Sequence, residues 1–533
     1  MTSDLRAFLA LDLGAATASA ALLGRLAGRW RLIGAVSLPG EVPPDAIADH
    51  LVAGIREADP QLATELGLGV SAAGLPRLTA SSSPRSKLGI VAVSERSLSG
   101  LVAAAERSGW RTVAASLERS DPLAITAMLL DRSVSTVLAG AAEPPGADER
   151  ATLGDLAALV AGVASRRPEL RIILAGALRD QLPRFQALAD RRTDAIVAPA
   201  AAAGSPPRAA LRELLERTGR PAEDSRRAFL AGTLSLAEAI DRRIETIDIG
   251  FDGGVRVVAV PGSAGTPATG TWAMVADAAL IPPDSDETIV DGVLGWSTVS
   301  IDRHRLRDRL HELRLAPWGD TTGPGGPLRL AAARAALERL VRATPDIDAL
   351  PPADLIVVAG GAWAVAPGPA IALAVADVIR RPGACQIAWD HARLIAPLGT
   401  IEDPAERRAM FADLADDLLA PLGSVVMPQG MKPGRSGGRL VVHGPGGSTE
   451  LELVAGGIEL VDLPPGESAV AEFQFRDAVK LGTRGRHFAV DVAGGLGGLL
   501  VDLRDVPLQL PDRAEPRREL LASWQEALWA GLE

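Results

Sequence analysis

One short pattern occurs twice in the chain, and it constrains the fold more than any other feature. Each copy is an apolar run that ends in Asp-x-Gly, followed by a turn of small residues and a second β-rich run; the copies are Ala7–Leu22 and Glu245–Val260. A strand, a tight turn and a returning strand predict a β-hairpin whose tip exposes backbone N–H groups. Glycine at the tip allows a ligand to approach closely, because no Cβ stands in the way.

The aspartates of the two hairpins are candidate ligand-binding residues. Asp12 and Asp248 end the first strand of each copy. A carboxylate repels phosphate, but it can hold Mg²⁺ through water while the ion bridges to phosphate oxygens. Two such hairpins facing each other across a cleft would contact a nucleoside triphosphate from both sides. Asp-x-Gly is also a common strand-end turn, and a single copy favours that simpler interpretation, whereas the pair favours a site.

A third candidate element is the uncharged stretch Leu355–Ala376. Its length would suffice to cross a bilayer, but Gly360-Gly361, Pro367 and Pro369 divide it into a strand, a glycine turn and a helix start. A strand, two glycines and a helix let a flat ring or a phosphate pack against the backbone. Close packing of the strand on the helix would require the same glycines, so both interpretations stay open.

Between the hairpins and after the third element, the pattern changes twice. Short apolar runs alternate with Ala/Leu-rich helical stretches in the first half, which predicts βαβ units and a largely parallel sheet. The predicted strands are Leu66–Val70, Leu88–Val93, Thr112–Ala115, Thr136–Ala139, Ile172–Ala175 and Ala195–Val197. After Gly438, short alternating strands separated by Gly- and Pro-rich turns predict a small all-β module, and Arg517–Leu532 predicts a closing helix.

Composition excludes several classes of function. The formal net charge of -11 over 533 residues argues against an electrostatic binder of nucleic acid or of a membrane surface. The single cysteine, Cys385, excludes an internal disulfide framework and CxxC sites, and it fits a reducing compartment. We therefore expect a soluble cytoplasmic protein with no nucleic-acid or membrane partner.

The order of the elements (hairpin, hairpin, strand-Gly-Gly) resembles that of the actin, heat-shock ATPase and sugar-kinase superfamily. Within it, the chain looks like the glutamate mutase L-type family over nearly its whole length. The segments that carry this resemblance, besides the hairpins, are Ser81–Ser83, Leu138–Ala142, Val358–Gly361, Met427–Gly430 and Gly494–Pro507. The resemblance implies a two-lobed actin-like ATPase (ribonuclease H-like) α/β fold, with an inserted parallel α/β region and a small C-terminal all-β module.

We expect four segments on this basis. They are a first lobe with the α/β region over residues 1–240, a second lobe over 241–430, the β-rich module over 437–511 and a helix over 512–533.

The resemblance also implies a ligand and a partner. It implies ATP or ADP with Mg²⁺, held through water by Asp12 and Asp248, and no catalytic residue is singled out. The residues expected at the phosphates are Gly14, Thr17 and Gly250, and those at the adenosine are Gly360 and Gly361. The family is associated with reactivating or protecting adenosylcobalamin-dependent carbon-skeleton mutases. The chain would then be an accessory protein with at most a weak ATPase activity, rather than a metabolic enzyme.

Both hairpins depart from the family pattern. The first lacks the usual lysine and has alanines around Thr17, the one hydroxyl close to the turn. In the second, Phe251 follows Gly250, and both threonines and the final acid position of the family pattern are lost. Each missing donor to a charged phosphate removes about 1.5–3 kcal/mol of binding. The alternative hypothesis is therefore a degenerate scaffold without ATP turnover, with the C-terminal module as its partner-binding surface. A small-molecule kinase ranks third, because no catalytic base stands out.

Overall fold

The computed structural model describes most of the chain, in sixteen stretches. These are residues 5–39, 42–81, 87–105, 108, 110–131, 134–189, 194–198, 207–218, 225–251, 253–263, 266–281, 287–316, 325–363, 366–431, 436–504 and 506–529. The chain divides into two compact units. One comprises Met1–Ser83, Ala222–Trp272 and Ala278–Glu533, and the other comprises Pro84–Pro221 with Ala273–Asp277.

The first lobe is a small sheet with helices on one face. Its elements are β1 (Ala7–Leu13), β2 (Thr17–Leu26), β3 (Arg29–Pro39), α1 (Pro44–Ala58), α2 (Pro60–Glu65) and β4 (Arg77–Ser81). The strand order is β3-β2-β1-β4, in which β1 runs antiparallel to β2 and parallel to β4. Alternate residues of β1, such as Leu9 and Leu11, pack with Ile47 of α1 in the core, because every second side chain of a strand points to the same face.

The prediction of a strand at Leu66–Val70 is wrong. Helix α2 ends at Glu65, and the following residues form a turn. Leu66 and Leu68 are buried in the core of the first lobe, so the apolar run reflects burial without strand pairing. A short apolar run in the sequence does not by itself distinguish a paired strand from another kind of buried segment.

The second unit is a doubly wound parallel sheet, which confirms the predicted α/β region. Its elements are β5 (Lys87–Ala92), α3 (Glu95–Ala105), β6 (Arg111–Ser116), α4 (Pro122–Leu130), β7 (Val134–Ala141), α5 (Ala147–Arg166), β8 (Arg171–Gly176), a 3₁₀ turn (Ala177–Gln181), α6 (Leu182–Leu188), β9 (Asp194–Val197) and α7 (Pro207–Thr218). The strands run parallel in the order β6-β5-β7-β8-β9. Apolar clusters cover both faces of the sheet, as expected for a parallel sheet.

The second lobe repeats the arrangement of the first. Its elements are α8 (Ser225–Ile240), β10 (Ile244–Ile249), β11 (Gly254–Val260), β12 (Thr269–Val275), a 3₁₀ turn (Ala276–Ala278), α9 (Glu287–Trp296), α10 (Arg303–Leu315), α11 (Gly325–Arg342), α12 (Pro345–Asp348), β13 (Leu355–Ala359), α13 (Gly368–Val378), β14 (Gly383–Trp389), α14 (Ile395–Gly399), α15 (Pro404–Leu418) and β15 (Ala420–Met427). The sheet runs β12-β11-β10-β13-β14-β15. Strand β10 is antiparallel to β11 and parallel to β13, which is parallel to β14.

In both lobes a hairpin is therefore followed by a crossover to a parallel strand beside its first strand. This is the ribonuclease H-like arrangement, and the chain has the two-lobed actin-like ATPase fold. The apolar stretch Leu355–Ala376 forms β13 and most of α13, as its glycines and prolines predict. No helix in the described part of the chain is long and apolar enough to cross a membrane.

The C-terminal region contributes to two sheets. Its elements are β16 (Ser436–Gly444), β17 (Gly447–Val454), β18 (Ile458–Val461), β19 (Ser468–Leu481), β20 (Thr483–Ala493), β21 (Leu499–Asp502) and α16 (Ala514–Trp529). Four of them form the antiparallel sheet β17-β16-β19-β20, which is the β-rich module. The other two extend the second lobe, because β21 pairs in parallel with β15 and in antiparallel with β18.

A buried ion-pair network fixes β21 to the helices of the second lobe. Arg504 contacts Asp502 and Asp377, with N–O distances of 2.7 Å to each. Asp377 also pairs with Arg334 at 2.6 Å, and Asp502 pairs with Arg380. Such a network is stable only while every charge keeps its partner, because an unpaired buried charge is strongly unfavourable.

Candidate functional site

The tip of the first hairpin is a tight turn that only glycine fits. The N–H of Gly14 donates to the carbonyl oxygen of Thr17 at 2.8 Å. A Cβ at Gly14 would lie 2.6 Å from that oxygen, so any larger residue would open the turn. Asp12 is half-buried at the end of β1, opposite Ser19 of β2. The hydroxyl of Ser19 is 2.6 Å from that of Ser37, which leaves Thr17 as the hydroxyl of this hairpin that lines the cavity described below.

The tip of the second hairpin has the same form. The N–H of Gly250 donates to the carbonyl oxygen of Gly253 at 3.0 Å, and Asp248 is half-buried near the end of β10. Asp252, the next residue of this hairpin after Phe251, lies outside the described residues. Phe251 projects its ring towards Gly361, where a Cβ would lie 3.6 Å from the ring edge.

Three parallel strands bring residues from distant parts of the sequence to one edge of the second lobe. Asp248 stands opposite Ala359 in the β10–β13 register, so Gly360 follows directly beside it. Gly360 has φ +93°, and a Cβ there would lie 2.1 Å from Asp248 Oδ1. Arg393 follows β14, the next parallel strand. The carboxyl ends of parallel strands are where ligands bind in open α/β sheets.

All seven site residues predicted from the sequence line a single cavity of about 40 Å³. They are Asp12, Gly14, Thr17, Asp248, Gly250, Gly360 and Gly361. A water molecule occupies about 10–15 Å³ on this measure, so the cavity matches a few waters or one phosphoryl group. A site for a complete drug-sized ligand measures about 300–1,000 Å³. The described residues thus enclose space for the phosphate end of a nucleotide, and adenosine contacts by the two glycines stay a prediction.

Two arginines in the cavity were missed by the sequence reasoning. Arg393 is 7% exposed, and its Nη1 donates to Thr17 Oγ1 at 2.6 Å. Arg226 belongs to the first turn of α8, whose N-terminus lines the same cavity. Neither arginine belongs to a motif. For Arg393, the available signal was its position in a charged segment, Asp390–Arg393, directly after an apolar strand. This signal can be used only once β14 has been recognised as a strand.

The electrostatics of the site combine both signs of charge. Two carboxylates, from Asp12 and Asp248, and two guanidinium groups, from Arg226 and Arg393, line the cavity. The N–H groups and the dipole of a helix N-terminus favour an anion, and Ser225 and Arg226, the first residues of α8, line the cavity. Guanidinium groups and helix termini suit phosphate oxygens, whereas the carboxylates suit a hydrated divalent cation.

Asp390 stands behind Arg393 and shapes the loop that carries it. Its carboxylate oxygens accept hydrogen bonds from the N–H groups of Leu394 at 2.8 Å and Ile395 at 3.0 Å. Burial, reinforced by the negative charge of Asp248, raises the pKa of Asp390 to about 6. The backbone hydrogen bonds and the charge of Arg393 oppose this shift.

The second unit contains a larger cavity, of about 840 Å³, where β5, β6 and β7 end. Two of its acidic groups, Glu149 and Glu143, already have protein partners. Glu149 accepts hydrogen bonds from the hydroxyls of Ser94 and Ser97, and Glu143 pairs with Arg179. Burial alone would raise the pKa of Glu149, but these hydrogen bonds outweigh it and lower the pKa. These two carboxylates are thus used within the fold, and we assign no ligand to this cavity.

Comparison with known proteins yields structural likeness only. No protein-family model and no curated protein matches the sequence. Component A of (R)-2-hydroxyglutaryl-CoA dehydratase from Acidaminococcus fermentans is 8% identical, with 75% of this chain and 99% of that chain covered and a TM-score of 0.26. The ethanolamine utilization protein EutJ from Carboxydothermus hydrogenoformans is 10% identical, with 76% and 89% covered and a TM-score of 0.26.

Glycerol kinase from Plasmodium falciparum, solved with ADP, is a further example. It is 6% identical, with 76% of this chain and 92% of that chain covered and a TM-score of 0.26. At these scores the matches say nothing about activity, and the fold assignment stands on the strand order of the two lobes.

Proposed function

We propose that this chain is a nucleotide-binding accessory protein that takes the phosphates of ATP or ADP together with Mg²⁺. The observation that carries the proposal is the convergence of both hairpin tips and the glycine pair on one cavity. These elements are far apart in sequence, and strand-end turns without a common ligand would not be expected to lie around one cavity. The convergence is what favours a ligand site over the simpler interpretation of each Asp-x-Gly.

Asp12 and Asp248 are the residues that would hold Mg²⁺ through water. In the described part of the chain no group of three or more His, Cys, Asp or Glu side chains could hold a metal ion directly. Mg²⁺ usually keeps several waters and binds through one or two carboxylates plus phosphate oxygens, so two carboxylates fit this mode. The bound ion would neutralise phosphate charge beside them, while the hairpin N–H groups and Arg226 orient the phosphate.

We further propose that the partner is an adenosylcobalamin-dependent carbon-skeleton mutase such as glutamate mutase. The support is the ordered series of motifs that resembles the glutamate mutase L-type family. In this proposal, nucleotide binds one arrangement of the two lobes better than another and so shifts their populations. The favoured arrangement would bias a bound mutase towards releasing damaged cobalamin.

A catalytically degenerate scaffold is the second candidate, and two observations favour it. Phe251 lies beside Gly361 in the cavity, and the cavity volume of about 40 Å³ is far below that of a site for a complete drug-sized ligand. In that case the chain would bind its partner without ATP turnover.

Calorimetric titration with ATP and ADP, with and without Mg²⁺, tests the proposal. We expect Mg²⁺-dependent binding by the wild type and a loss of that dependence in Asp12→Asn and Asp248→Asn. A matched control is Asp302→Asn, which changes an exposed helix-capping aspartate. Absence of binding by the wild type would reject the nucleotide proposal and leave the scaffold. Equal binding by wild type and both site variants would reject the assignment of the two aspartates.

A further inference from the structure

Resting on the proposed function, we infer that Arg393, besides Arg226, is a cationic group that binds the phosphoryl group in this site. It replaces, from the second lobe, the lysine that the first hairpin lacks. The ligand class is a phosphoryl oxyanion, either the terminal phosphate of a nucleotide or free inorganic phosphate.

Of the two terminal nitrogens of the Arg393 guanidinium group, one donates a hydrogen bond within the protein and the other is available to a ligand. Its Nη1 donates to Thr17 Oγ1 at 2.6 Å, which fixes the group against the first hairpin. Its Nη2 is buried and has no hydrogen-bond partner among the described residues. This nitrogen lies at Gly361, where a Cβ would stand 3.6 Å from it. A buried N–H without a partner is unfavourable, and here it faces the cavity that both hairpins line.

The backbone of Arg393 has an unusual conformation. Its φ is +54°, a left-handed value that residues other than glycine seldom adopt. Asp390 stabilises the loop, because its carboxylate caps the N–H groups of Leu394 and Ile395 and its carbonyl accepts the N–H of Arg393 at 3.3 Å. Such conformations persist where the surroundings fix them, and they cluster at ligand sites.

The other groups in the cavity favour a phosphoryl group over a carboxylate ligand. Asp12 and Asp248 would repel any anion that came without a cation. A phosphoryl group can share a divalent cation with them and still offer oxygens to a guanidinium group. A planar fork of N–H donors matches phosphate better than an ammonium group does. The volume of about 40 Å³ suits a small group such as a phosphoryl group rather than a complete drug-sized ligand.

The experiment compares Arg393→Gln and Arg393→Lys with wild type by titration with MgATP, MgADP and inorganic phosphate plus Mg²⁺. The matched control is Arg305→Gln, because the Arg305 side chain is 82% exposed. Loss of a charge-assisted hydrogen bond should weaken binding of MgATP and of phosphate about 10- to 100-fold in Arg393→Gln. Arg393→Lys keeps the charge and should lose less. It also serves as the test if Arg393→Gln fails to fold.

The outcomes separate this inference from the proposed function. Unchanged MgATP and phosphate affinity in both Arg393 variants would overturn the inference and leave nucleotide binding intact. Phosphate binding that depends on Arg393, without nucleotide binding by the wild type, would support the inference and reject the proposed function. Absence of both kinds of binding in the wild type would overturn both.

Discussion

Replacing Gly360 by alanine should damage the site and the fold together, because this residue lies where β13 meets the second hairpin. A Cβ there would stand 2.1 Å from Asp248 Oδ1 and 2.4 Å from the carbonyl oxygen of Ile249. The second contact is with backbone, so it cannot be relieved by a side-chain rotation alone. Gly360 also has φ +93°, which disfavours any residue with a Cβ.

The expected magnitude follows from these two effects. A strained backbone conformation costs about 1–3 kcal/mol, and forcing a methyl group into packed surroundings adds about 1–3 kcal/mol. We expect Gly360→Ala to lower the free energy of unfolding by about 2–6 kcal/mol. Because relief of the clash must move Asp248, Mg²⁺-dependent nucleotide binding should fall with it.

Gly361→Ala is the matched control in the adjacent position. The nearest atoms to its added Cβ are Thr17 Oγ1 at 3.5 Å, with Arg393 Nη2 and a Phe251 ring carbon at 3.6 Å. These are ordinary contact distances, so stability should stay within about 1 kcal/mol of wild type. Urea titration followed by tryptophan fluorescence would compare the midpoints of the three proteins. Equal midpoints for Gly360→Ala and Gly361→Ala would refute the close approach of β13 to the second hairpin.

Two further predictions concern buried charges. Arg256 is fully buried and bonds Glu245 at 2.7 Å, so Arg256→Met should destabilise by about 3–5 kcal/mol in urea titration. Adding Glu245→Met should recover only part of the loss, because Arg256 also bonds Asp348 and Thr344. Burial raises the pKa of Asp390 from 3.8 to about 6. Its contribution to stability is therefore fully present below pH 3.8 and is lost as the pH rises through about 6, a difference of about 3 kcal/mol. The unfolding free energies of wild type and Asp390→Asn, measured between pH 4 and 7, should diverge by this pH-dependent amount, and parallel profiles would contradict it.

The sequence predicts the local parts of this structure well and the non-local parts poorly. The hairpins and the β13–α13 segment are set by residues within a few positions of one another, so their turns and periodicity are visible in the sequence. The position of Arg393 depends instead on β14 pairing in parallel with β13, and this pairing joins segments across a helix. The same holds for Arg226, which reaches the cavity because α8 begins there.

The wrong strand at Leu66–Val70 has a related cause. Its apolar residues are explained by burial against the first-lobe core, and burial alone does not specify a partner strand. The C-terminal strands show the converse case. Their alternating pattern predicts β-structure correctly, but the pattern carries no information about which sheet each strand joins.

Two strands of the C-terminal region, β18 and β21, belong to the sheet of the second lobe, and this limits how the region can be tested as a partner-binding surface. Deleting everything from Gly438 onwards would remove β21 from beside β15 and would leave Arg380, whose side chain is 7% exposed, without its partner Asp502. We therefore expect the truncated chain to lose the cooperative unfolding of the second lobe, measured by calorimetry and by hydrogen exchange in β13 and β14. An unchanged melting temperature would show instead that the region is dispensable for the fold.

A point substitution separates partner binding from stability. Glu472 is exposed on β19, and its contact with His443 at 3.6 Å joins two exposed side chains, so Glu472→Lys should change stability by less than about 1 kcal/mol. Loss of partner capture in Glu472→Lys at an unchanged melting temperature would identify this face as a contact surface. Loss of capture in the truncated chain alone would be explained by unfolding, because Arg504, which follows β21, forms a buried ion pair with Asp377 of α13.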